Sequence, residues 1–170
     1  MSRYDELCGV YTESRMKFAR YQSECQHFLE QFAQGLVEAF CVPPEKFKLF
    51  PAIGERDPAV TYTVQESMKL AQDNFWHIGI EIILVCQSCP TDPIQPVMIN
   101  LGVKKENNVY LLKTSPEDEP FGIAEKSPEQ LKYFYDELFT RIQGLLEKSV
   151  DVLMEKEPTA CKIGFVSECD

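Results

Sequence analysis

Phe75-Trp76-His77-Ile78-Gly79-Ile80-Glu81-Ile82-Ile83-Leu84-Val85-Cys86-Gln87 decides the fold class. Side chains alternate between the two faces of a strand. Trp76, Ile78, Ile80, Ile82, Leu84 and Cys86 then share a wholly apolar face. Phe75, His77, Gly79, Glu81, Ile83 and Val85 share a mixed one. Such a pattern predicts a half-buried strand whose apolar face meets helices.

Working outward, Val97, Ile99, Leu101 and Val103 predict a second strand, with Met98, Asn100, Gly102 and Lys104 opposite. Glu106-Asn107-Asn108 is a turn signal, because Asn tolerates positive φ. Residues 109–114 return as the partner strand. Upstream, Val60, Tyr62 and Val64 alternate with Thr61 and Thr63, which predicts another strand. Residues 43–58 read as irregular chain fastened by Phe47, Leu49 and Phe50, and residues 65–74 as a short helical turn or a wide loop. Consecutive strands on short loops imply an antiparallel meander of about four strands.

Helices flank the meander. Leu7, Tyr11, Ser14, Phe18, Tyr21, Cys25, Phe28, Phe32, Leu36 and Ala39 recur at steps of three or four. That periodicity predicts one long amphipathic helix, and Pro43-Pro44 stops it. The same stripe suits a helix–helix seam, within the fold or across a homodimer. Ser127-Pro128-Glu129-Gln130 reads as a helix start, with Ser127 as cap and Gln130 completing a capping box. Leu131, Phe134, Tyr135, Leu138, Ile142, Leu145, Val150 and Leu153 carry its apolar stripe toward Glu155, ahead of Pro158. Residues 162–166 read as a short terminal strand. The expectation is one α+β domain over 1–170: a long N-terminal helix, the meander, and a long C-terminal helix packed on one sheet face.

The chain has 170 residues, 17 basic and 27 acidic, with a formal net charge of −10 and 44% apolar residues. This balance fits a soluble globular domain and excludes collagen-like, low-complexity and strongly disordered chains. It argues against nucleic acid and anionic membranes as partners, since both rely on surplus Lys and Arg. Residues 116–170 hold 6 basic and 13 acidic side chains, so most of the surplus lies there, densest at Glu117-Asp118-Glu119. An acidic surface of this kind attracts a basic protein partner. The polar start lacks an apolar export segment, and no run approaches a membrane span. Seven irregularly spaced cysteines argue against a disulfide framework and for a reducing cytoplasm.

Two constellations carry chemistry. Cys86-Gln87-Ser88-Cys89 is a C-x-x-C pair, which binds zinc or cycles as a dithiol. No second pair accompanies it, so it reads first as ordinary thiols at a strand end. His77, Glu81, Asn100 and Lys104 could project together from the mixed face as determinants of a small-molecule site between the sheet and a long helix. His77 and Glu81, four apart on one strand, lie roughly 13 Å apart and share no proton directly. Phosphate loops, nucleophile elbows and H-E-x-x-H are absent from the sequence, so no catalytic residue and no cofactor is assigned. By architecture alone, the order helix, strands, helix is similar to secretion-chaperone-like folds. The leading expectation is a non-enzymatic protein-binding module: an adaptor, regulator or chaperone-like protein. The alternative is the small-molecule site, and a weaker one is zinc or thiol chemistry at Cys86 and Cys89.

Overall fold

A computed structural model describes residues 2–89, 91–153 and 161–163, with 149–153 and 161–163 described for their backbone alone. The apolar positions Val150 and Leu153, and the expected strand positions Phe165 and Val166, therefore lie outside the described side chains.

Helix α1 runs Arg3–Phe40. Ser2 caps it: its hydroxyl accepts from the Asp5 N–H, and the Asp5 carboxylate returns a bond to the Ser2 N–H. The helix ends where Cys41 turns left-handed at φ 51°, and the Val42 N–H reaches back to the Val37 carbonyl. Helix α2 is the single turn Val64–Ser67, and helix α3 spans Pro128–Leu153. The strands are β1 (Phe47–Phe50), β2 (Lys69–Leu70), β3 (Trp76–Leu84), β4 (Gln95–Glu106), β5 (Val109–Lys113), β6 (Phe121–Ala124) and β7 (Cys161–Ile163).

They form one sheet of seven strands with the central order β1-β3-β4-β5-β6. All neighbours are antiparallel except β7, which runs parallel to β4 opposite Val97–Ile99. There β4 outruns β5, whose pairing begins at Gly102. The short β2 extends the β1 side, opposite Trp76 and His77.

The expected layering holds. Ile78, Ile80, Ile99, Leu101, Val103 and Leu112 are buried against Phe28, Leu29, Phe32 and Leu36 of α1 and against Phe134, Tyr135 and Leu138 of α3. Both helices thus cover the same face. Gly35 brings them close: a Cβ there would run into the Tyr135 side chain, whose hydroxyl donates to the Phe32 carbonyl at 3.0 Å. Burial, with Glu38 adding to it, pushes the Tyr135 phenol up to about 12, so it stays a donor.

Three local expectations are corrected. Residues 47–50 are not irregular but an edge strand, with Phe50 opposite Gly79. Residues 60–64 are not a strand. Thr63 instead caps α2 in a capping box with Glu66, and Val60 stays exposed. Alternation alone could not show that Thr63 prefers the helix start three residues before a Glu. Gln130, expected to complete a capping box with Ser127, accepts instead from the Ala124 N–H at 2.7 Å and ties β6 to α3.

Gly79 decides how the outer sheet face is covered. A Cβ there would collide with the Phe50 ring, which lies flat over the position. Gly79→Ala is expected to cost about 1–3 kcal/mol by forcing that ring off its seat. The check is a lowered urea midpoint with unchanged slope; an unchanged midpoint would mean the ring moves aside freely.

Candidate functional site

The face turned away from the helices holds all four residues singled out in sequence. Their neighbours on β3 and β4 alternate into the core, so His77, Glu81, Asn100 and Lys104 point outward together. The register decides which of them meet. His77 lies opposite Gly102, and Gly79 opposite Asn100. This diagonal brings His77 Nδ1 to 3.4 Å from Asn100 Oδ1. Glu81 faces Met98 and Lys104 faces Leu111, so those two do not meet.

His77 is 2% exposed and sits against a carboxylate that the sequence reading missed. Asp73 places its oxygens 3.0 and 3.1 Å from His77 Nε2. The same carboxylate lies 3.1 Å from Lys113 Nζ and accepts the Phe75 N–H at 3.0 Å. A left-handed Asn74, φ 63°, turns the chain so that Asp73 folds back over β3. Lys113 also lies over the Phe75 ring, 4.2 Å from its centre. Burial works to raise the Asp73 carboxyl. The Phe75 N–H, His77 and Lys113 outweigh it and hold the group below the usual carboxylate range. A carboxylate beside an imidazole is the orienting half of an acid–base pair. Here the ring has an oxygen at each nitrogen, and the cluster fastens the 71–75 turn across β3, β4 and β5.

The other two expected residues are paired separately. Glu81 holds Arg56 at 2.7 Å, and that guanidinium lies 4.3 Å from the centre of the Phe50 ring. Lys104 pairs with Glu106 at 2.6 Å. None of the four lines the grooves found on the helix side. One of these, about 330 Å³, opens between β5, β6 and α3 beside Thr114, Phe121, Tyr133 and Arg141. Asp118 and Glu119 lie on it. Asp118 is already engaged: Arg141 donates to it at 2.8 Å and Thr114 at 3.0 Å. Burial acts to raise Asp118, but Arg141 and Thr114 hold it below the usual range. Of the acidic triplet, only the flanking Glu117 and Glu119 stay without an ion pair of this kind among the described residues.

The loop joining β3 to β4 carries the C-x-x-C pair. Cys86, Cys89 and Asp92 bring one ligand-type atom each within 4.8 Å of one another. The Asp92 N–H bonds the Cys89 carbonyl at 3.0 Å, which folds the carboxylate back over the thiols. Ser88 Oγ lies 3.4 Å from Cys86 Sγ. Asp92 was not singled out in sequence; its place three residues after Cys89 was the available signal.

An exposed apolar stripe lies elsewhere. Residues 3–17 of α1 are exposed on every side, whereas Cys25, Phe28, Leu29, Phe32 and Leu36 are buried. Tyr4, Leu7 and Tyr11 continue the buried stripe outward at 73, 68 and 66% exposure, with Val10 along its edge. At 1.5 Å per residue the projecting part extends roughly 22 Å past the body. Among the described residues no helix is long and apolar enough to cross a membrane. No family model, no curated protein and no solved structure matches this chain.

Proposed function

We propose that this chain is a protein-binding module of the adaptor, regulator or chaperone-like kind, and that the first half of α1 is its docking element. The observation that carries this reading is the stripe of Tyr4, Leu7 and Tyr11, exposed on a helix that leaves the body. Burying each such side chain stabilises a complex by about 1.5–3 kcal/mol before association costs. A helix segment of this length is marginal on its own, which favours a partner that completes it.

A second copy of this chain, running antiparallel, fits the stripe best. Tyr4, Leu7 and Tyr11 stand three and four residues apart, so an antiparallel copy offers the same apolar seam in return. A two-fold near Tyr11 sets Tyr4 of one copy beside Phe18 of the other and Leu7 beside the stem of Arg15, so the apolar stripes meet. The triplet Glu117, Asp118 and Glu119 supports a basic partner less strongly, because Arg141 already holds Asp118. A cytoplasmic location is part of the proposal and fits the free thiols of Cys8, Cys25, Cys41, Cys86 and Cys89.

Sedimentation of the wild type against Leu7→Glu/Tyr11→Glu tests the reading. The wild type is expected to sediment as a dimer and the variant as a monomer. The variant's own melting should change by no more than about 0.5 kcal/mol, because these positions are largely exposed. A monomeric wild type at all concentrations would overturn self-docking.

A further inference from the structure

Cys86, Cys89 and Asp92 cap the hairpin between the two longest strands, far from the α1 stripe in the chain. The base of this loop is set by the Leu84–Gln95 pair, the last of the β3–β4 ladder. Three donors of two kinds, two sulfur and one carboxylate, converge within 4.8 Å. None of the three forms a disulfide or an ion pair among the described residues. Cys89 and Asp92 are exposed and Cys86 is half-buried, so an ion can reach them from solvent.

The geometry points to a zinc-type divalent site: we propose that Cys86 Sγ, Cys89 Sγ and one Asp92 carboxylate oxygen bind a single Zn²⁺, with the fourth position open. A tetrahedral ion with Zn–S near 2.3 Å needs ligand atoms about 3.8 Å apart. The two sulfurs therefore have to close by about 1 Å or less, and each sulfur and the carboxylate oxygen by no more than about 1.3 Å. Two thiolates select a borderline-soft ion over Mg²⁺ or Ca²⁺, which take oxygen ligands. Binding releases the two thiol protons and forms two Zn–S bonds and one Zn–O bond, with no redox change. Water or a donor from a partner occupies the open position, so the site either tightens the hairpin or reads a ligand there. It stands independently of α1 docking.

The test uses full-length, untagged, reduced protein titrated with Zn²⁺ against a chromophoric chelator, and with Co²⁺ as a spectroscopic probe. One equivalent of Zn²⁺ is expected to bind. Co²⁺ should give a sulfur-to-metal charge-transfer band and the intense visible bands of a four-coordinate ion. Cys86→Ser and Cys89→Ser should each weaken binding by more than about 100-fold, since removing even an outer-shell partner costs about 10–100-fold. Asp92→Asn should weaken it by at least about tenfold. Cys8→Ser and Cys41→Ser, at exposed thiols on α1 and just past its end, should leave it unchanged. Absence of stoichiometric binding, or binding that survives Cys86→Ser and Cys89→Ser, would overturn the proposal. Equal affinity in Asp92→Asn would remove Asp92 from the ligand set and overturn it as stated.

Discussion

Phe32→Ala is expected to lower stability by about 3–5 kcal/mol. Phe32 is 1% exposed and stands where α1 meets α3. Its ring centre lies 5.2 Å from Tyr135, 5.8 Å from Phe134 and 6.4 Å from Phe28. The gap left by the ring has little means of closing. The Tyr135 hydroxyl is held on the Phe32 carbonyl, and Gly35 already lets the two helices approach as closely as the Tyr135 side chain permits. A cavity that cannot collapse costs the transfer free energy and the lost contacts together. Urea unfolding should show the midpoint falling steeply at constant slope. A loss below about 1 kcal/mol would mean that this helix contact is not the centre of the core. Tyr11→Ala, on the same stripe but outside the body, should change the stability of the monomer by less than about 0.5 kcal/mol.

Asp73→Asn should destabilise by about 1–3 kcal/mol near neutral pH, because His77 and Lys113 then lie against a neutral amide. The pH dependence follows from the direction of the shift. The Asp73 carboxyl is depressed in the folded protein, against about 3.9 when unfolded. Below that unfolded value the unfolded chain binds the proton first, so the contribution of Asp73 is fully present above it. It is lost as pH falls through the lower folded value. The stability gap between wild type and Asp73→Asn should therefore be widest at pH 6–7 and close on acidification, with the closing set by roughly pH 4 and below. Urea melts across pH 7 to 3 measure it. A gap that stays constant or widens toward acid would show that the carboxylate charge does not stabilise the fold.

Long periodic elements were legible in the sequence because one face of each is buried. The steps of three and four through α1 and α3, and the alternation through β3 to β5, carry that signal directly. Phe47–Phe50 is too short for alternation to speak, and its pairing with residues 79–82 is a long-range choice. The Val60–Val64 alternation was genuine but belonged to a loop that ends in a cap, with the Tyr62 hydroxyl accepting from the Asp57 N–H. Of the expected polar residues, His77 and Asn100 meet because the register staggers them by one diagonal. Glu81 and Lys104 separate for the same reason, and Asp73, Arg56 and Lys113 join the face through turns and a neighbouring strand. Register and turn direction set those contacts, and neither has a local signature. The projection of α1 was also hidden. Its stripe is equally periodic in the buried and exposed halves, but a 38-residue helix of roughly 57 Å outruns a sheet whose longest strand, 12 residues, spans about 40 Å.

Amide hydrogen exchange along α1 measures the docking of its first half. Unpartnered, the turns from Tyr4 to Lys17 are exposed on every side and open readily. Docked on a second copy, the amides of Leu7 to Lys17 should be slow at high protein concentration. They should lose protection on dilution and in Leu7→Glu/Tyr11→Glu, while the amides of Phe28 to Leu36 stay protected throughout. Exchange of Leu7 to Lys17 at the rate of an unstructured peptide at every concentration would contradict self-docking through this helix.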